Sequence, residues 1–219
     1  MGRNPRKVKL VNGVKVICSE EFCLVKEVME LVFTLDSEKM QTRKDILNEL
    51  NAKRSNYVVN YWFLEEEPGT DNLYLILDLC EESLESYVKS SSLQDLQKVV
   101  PKVLIQILNG LVHLHSGERP ILHRDLRPSN VLRDVDGNFL IADFGISHML
   151  SDESSTHWSI QRGAKYWIAP ESYDASDDTI NKVRYKKESD IMNAGMVAYY
   201  VATKGKHPLE LNGIDWTTF

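Results

Sequence analysis

Residues 123–130 read HRDLRPSN, residues 142–145 read ADFG and residues 169–171 read APE. The surroundings of these three stretches set the architecture. Before the first lies PKVLIQILNGLVHLH (101–115), which opens on a proline tolerated in a helix's first turn. It then places Leu104, Ile107, Leu108, Leu111 and Leu114 at helical spacing. Two short β-rich runs, VLRD (131–134) and FLIAD (139–143), flank Asp136-Gly137, a turn pair that tolerates positive φ. A polar stretch follows at 146–162, carrying Ser147, Ser151, Ser154, Ser155, Thr156 and Ser159, and a largely apolar helix is expected over 188–203.

Toward the N-terminus the texture changes. Asn12-Gly13 between alternating apolar residues (8–16) predicts a hairpin. Residues 20–33 fit helix or strand equally, 36–52 read as a helix with Ile46, Leu47 and Leu50 on one face, and YVVNYWF (57–63) and LYLILDL (73–79) read as strands. Strands with one helix come first and helices afterwards, which predicts an α+β chain of two lobes. Residues 1–80 would form a small β-rich lobe and residues 81–219 a mainly helical one, with the hinge near 78–82.

The chain has 219 residues, 42% of them hydrophobic and 26% charged, enough to bury a core. A net charge of −6 argues against a general nucleic-acid binder, since neutralising phosphates needs surplus Lys and Arg. Arg3, Arg6, Lys7 and Lys9 crowd one end, as a solvated tail or a local anion site. Cys18, Cys23 and Cys80 form no CxxC pair and suit a reducing compartment. There is no membrane-length apolar run and no signal-peptide core, so a cytoplasmic location is expected.

The ordered set HRDLRPSN, DFG and APE, with 13 residues from Asn130 to Asp143, resembles the eukaryotic protein kinases. The resemblance implies a bilobal fold and a Ser/Thr kinase using ATP and Mg²⁺ on a protein substrate. It makes Asp125 the base for the attacking hydroxyl, with Asn130 and Asp143 holding the metal through hard oxygen ligands. Arg127 stands where Ser/Thr kinases usually carry Lys, and Ala164 where most carry Thr. His123 is implied to be structural, packed near Phe144, and Asp190 to anchor the catalytic loop. Leu77 is implied as gatekeeper, with backbone groups of Asp78 and Cys80 at the adenine edge.

Within the family, the chain resembles the inositol-requiring stress-sensor kinase/endoribonucleases and the oligoadenylate-dependent ribonuclease. The stretches LILDLCEESLESYV, WIAPES and YYVATKGKHPLE carry that likeness, which brings in a kinase-lobe dimer as a further partner. No ribonuclease activity is carried over.

Two departures bear on activity. No GxGxxG precedes residue 80, and the expected lysine lacks its usual context. Lys26 is the candidate for ATP, with Asp45 or Glu49 as its carboxylate partner; the alternative is a solvated charge on an amphipathic helix. The chain is also expected to stop soon after helix F, leaving Glu171 without its usual Arg. A pseudokinase, binding without efficient transfer, is therefore the competing expectation.

Overall fold

The computed structural model describes residues 7–11, 14–18, 25–27, 45–51, 54–66, 73–78, 80–144, 146–150, 156–160, 165–172 and 182–208. Strands β1 (Lys7–Val11) and β2 (Val14–Cys18) pair antiparallel with Val11 opposite Val14, the hairpin that Asn12-Gly13 predicts. Strands β3 (Val25–Glu27), β4 (Tyr61–Glu66) and β5 (Leu73–Leu77) form a sheet in the order β3-β5-β4. The ambiguous segment around Val25 is thus a strand where it is described. Pairing with β5 decides the matter, which no local pattern could. Helix α1 spans 45–51 and buries Ile46 and Leu50, as its apolar stripe requires.

The second half holds β6 (Cys80–Ser83), α2 (Leu84–Ser90), α3 (Leu93–His115), β7 (Ile121–Leu122), β8 (Val131–Asp134) and β9 (Phe139–Ile141). After these come β10 (His148–Met149), β11 (Thr156–Ile160), β12 (Lys182–Lys186) and α4 (Lys187–Ala202). Strands β6, β8 and β9 form a second three-stranded sheet, while α3 packs against α4 and against β9. Val103, Ile107, Leu111 and Leu114 of α3 are fully buried at helical spacing, with Val197 and Val201 of α4 in the same core.

Three expectations need correction. Helix α3 begins at Leu93, where the Ser92 hydroxyl accepts from the Asp95 N–H, so Pro101 lies inside the helix. Capping nine residues earlier outweighs the donor missing at Pro101, whose side chain faces solvent. The run at 57–63 becomes strand only from Tyr61. Before it, Val58 and Val59 are captured by Ile141: the Val59 N–H donates to the Ile141 carbonyl at 3.0 Å, and the Ile141 N–H to that of Tyr57 at 2.9 Å. Residues 80–83, beside the hinge expected near 78–82, form strand β6 on β8. The polar stretch 146–162 is not all loop, because β10 pairs with β7 and β11 with β12.

Gly110 permits the first-half segment 57–59 to lie directly on α3. A Cβ there would meet the Tyr57 carbonyl at 2.9 Å and Ile141 Cδ1 at 2.8 Å. The Gly110→Ala substitution is expected to destabilise the fold by about 1–3 kcal/mol, the usual cost of overpacking. Urea unfolding, followed by tryptophan fluorescence, measures it.

Candidate active site

The segment 123–130 is held from below by one buried side chain. The Asp190 carboxylate, near the start of α4, accepts the His123 N–H at 2.9 Å and the Arg124 N–H at 2.9 Å. His115, the last residue of α3, places Nε2 2.8 Å from the same carboxylate. Arg124 is thereby held at φ +69°, left-handed backbone that a non-glycine residue adopts only when its surroundings enforce it. Its guanidinium lies 4.5 Å over the Tyr185 ring of β12.

His123 is fully buried and touches the Phe144 ring edge-on at 5.1 Å. Its Nε2 is 2.9 Å from the Ala142 carbonyl, which can only accept, so the proton is assigned to Nε2. Nδ1 then accepts the Asp125 N–H at 3.3 Å. With both nitrogens committed, His123 organises the loop and has no lone pair to offer a substrate. The Ala142 N–H donates in turn to the Asn130 carbonyl at 2.9 Å. Both peptide groups of the residue before Asp143 are therefore tied to the 123–130 segment.

Asp125 and Asn130 meet directly. The Asn130 amide nitrogen donates to the Asp125 carbonyl and to its Oδ2, each at 2.8 Å. This orients the amide so that its oxygen accepts from Ser129 Oγ, at 3.3 Å. Arg127 Nε stands 3.5 Å from Asp125 Oδ2. Among the described residues, the other carboxylate oxygen, Asp125 Oδ1, is buried without a hydrogen-bond partner. An orphaned buried acceptor is costly.

Asp143 also sits in left-handed backbone, at φ +65°, and its N–H donates to the Tyr61 hydroxyl at 2.9 Å. Tyr61 is 97% buried, meets Phe144 edge-on at 5.6 Å, and has its phenol pKa raised, first by burial and then by the nearby Asp143 carboxylate. Nothing in the sequence marked Tyr61 as part of the site. It reads as one more aromatic in a strand.

Leu77 is buried at the end of β5, opposite Tyr61. The Asp78 N–H donates to the Asn60 carbonyl at 3.1 Å, so an adenine bond from Asp78 would use its carbonyl. Cys80 is buried at the start of β6, and its thiol pKa is pushed up to about 12 by burial, with Asp134 and Asp78 adding to the shift. Lys26 lies on β3, paired with Leu75 and not on a helix; its side chain falls outside the description, as do Ala164 and the Glu171 side chain. Asp45 and Glu49 are half-buried on α1.

The oxygen donors fit Mg²⁺. Among the described residues no cluster of three or more His, Cys, Asp or Glu converges. Mg²⁺ bound with a nucleotide needs no such cage, taking one or two carboxylates and completing its shell with phosphates and water.

Comparison with known proteins agrees with this arrangement. The family model "Protein kinase domain" matches residues 13–215. The chain belongs to the protein kinase family. The chain is 33% identical to the human serine/threonine-protein kinase/endoribonuclease IRE2 over 195 residues, 84% of this chain and 19% of that protein. It is also 33% identical to the kinase/endoribonuclease IRE1 of Hypocrea jecorina over 176 residues, covering 64% of this chain and 14% of that protein. The Dictyostelium discoideum serine/threonine-protein kinase dst4 is 29% identical over 199 residues, 89% of this chain and 39% of that protein. The chain thus spans well under half the length of these relatives. By family it is a Ser/Thr kinase with the α+β bilobal fold, and such kinases use ATP and Mg²⁺. Among the described residues no helix is long and apolar enough to cross a membrane.

Two expectations follow. Asp190→Asn sets an amide donor against groups that now donate to a carboxylate. It should cost about 3–5 kcal/mol, the scale for breaking a buried charged network, as read by urea denaturation. His148 on β10 has its pKa lowered from 6.5 by burial and then by Arg124. Its unfolded form binds protons more readily, so stability should fall as pH drops through about 6.5 toward the lower folded value. Thermal unfolding between pH 7.5 and 5 should show that loss, and His148→Gln should reduce it.

Proposed function

We propose that this chain transfers the γ-phosphate of ATP to Ser or Thr hydroxyls of a protein. The carrying observation is the buried, unpartnered Asp125 Oδ1 beside the clamped Asn130 amide. In this reading the substrate hydroxyl donates its proton to Asp125 Oδ1 while its oxygen attacks the γ-phosphorus. The bond to the β-phosphate oxygen breaks, and ADP departs with that electron pair. Arg127 holds the Asp125 carboxylate through Oδ2 and sets a cation near the transferring phosphoryl group.

Asn130 Oδ1 and the Asp143 carboxylate would hold Mg²⁺, which when bound neutralises phosphate charge. Lys26, placed on β3, would reach the phosphates, while Leu77 and the backbone of Asp78 and Cys80 would line the adenine. Residues 1–80 and 81–219 would be the two lobes that bracket the nucleotide.

A second reading, binding with little transfer, draws support from the β1–β2 hairpin. Its register leaves only residues 12–13 between Val11 and Val14, too short for a glycine-rich flap over the phosphates. One titration separates the readings. Wild type should bind Mg²⁺-ATP, Asp143→Asn should bind it at least tenfold more weakly, and Asp125→Asn should bind it as wild type does. Transfer to a Ser/Thr peptide mixture should fall 10²- to 10⁴-fold in Asp125→Asn, the usual weight of a general base. Equal Mg²⁺-ATP affinity in Asp143→Asn would sink the metal assignment; tight binding without transfer by wild type would select the second reading.

A further inference from the structure

Arg133 is a surface-edge arginine that no motif singles out, yet its guanidinium joins the hinge to the strand leaving the catalytic loop. It lies on β8, which begins at Val131, the residue after Asn130. Across the ladder, Cys80 pairs with Asp134, Glu82 with Arg133 and Ser83 with Leu132. The register shifts between Cys80 and Glu82, so Glu81 is the extra residue of a bulge. Bulges bend a strand and redirect its side chains, and each sets backbone groups that the ladder alone does not fix.

Here Arg133 Nη1 donates to Glu81 Oε2 at 2.8 Å and stands 3.6 Å from Glu82 Oε1. The guanidinium packs over the Tyr87 ring of α2 at 5.3 Å, and a Cβ on Gly137 would lie 3.4 Å from Nη2. Its side chain is 27% exposed. One cation thus joins the bulge to β8 and to α2.

We propose that Arg133 is a positioning residue for the adenine subsite, holding Asp78 and Cys80 at a fixed distance from the catalytic loop. It contacts no nucleotide itself. The inference rests on the reading of those residues as the adenine edge. It concerns the purine, since the clamp lies on the hinge side and is separate from the phosphate-binding groups.

Adenosine is the discriminating probe because it is uncharged. Salt can weaken its binding only through the protein's own ion pairs, and raising ionic strength from 0.1 to 1 M shortens the screening length from about 10 to 3 Å. By calorimetry, Arg133→Met, which keeps a stem over Tyr87, should bind adenosine about threefold to fivefold more weakly. That is the effect of one partly exposed ion pair. Glu81→Gln should do the same, the double variant should lose no more than either single one, and Arg133→Lys should recover part of the affinity. Wild-type affinity should decline with salt while that of Arg133→Met stays flat.

Adenosine affinity unchanged in both single variants, with only a lower melting temperature, would leave Arg133 a merely structural residue and overturn the inference. A wild type that binds ATP normally while the variants match it defeats this proposal alone. A wild type that binds neither adenosine nor ATP defeats the nucleotide-site reading and the proposal together.

Discussion

The Asp190 carboxylate, 98% buried, is the constraint from which the site is built. A buried charge persists only when it is well supplied with donors, and here they come from the His123 and Arg124 peptides and from the end of α3. Meeting that demand fixes the backbone of the catalytic loop at its entry. His123 then passes the constraint on, through one nitrogen to the residue before Asp143 and through the other to Asp125. Position is therefore transmitted from helix α4 to two separate acidic side chains by hydrogen bonds whose donors and acceptors leave no choice of partner.

A second line of support enters from the first half of the chain. Tyr61 receives the Asp143 N–H, and its own N–H donates to the Asn51 side chain on α1 at 3.3 Å. Asp143 is thus gripped on one side by the catalytic loop and on the other by a phenol whose proton burial makes hard to lose. This double support accounts for a non-glycine residue held in left-handed backbone at Asp143.

The residues proposed to carry the chemistry stand out in the sequence because their spacing is local. Asp125 and Asn130 are five positions apart, and a short loop can close only a few ways around that spacing. Helix α4 and the β8–β9 turn were legible for the same reason. What escaped depends on partners far along the chain. Tyr61 is one aromatic among several until it meets Asp143, and Arg133 is one more charge until it meets the hinge. Pro101 looked like a helix start because the cap at Ser92 offers a weaker signal than a proline. The segment around Lys26 satisfied two periodicities at once, and only pairing with β5 distinguishes them. Strands β11 and β12 are similarly invisible alone, since their pairing joins residues more than twenty apart.

The separations involved also bear on how the molecule comes into being. The bonds from Asp190 span 66 to 75 positions, and that from Asp143 to Tyr61 spans 82. Closing such long loops is slow, and their entropy must be met before any contact rewards it. When residues 123–130 are synthesised, His115 is already made but Asp190 is still some sixty residues from being translated. The catalytic loop is therefore among the last parts to acquire its shape. Until α4 is made, the backbone N–H groups of His123 and Arg124 lack the carboxylate that later receives them.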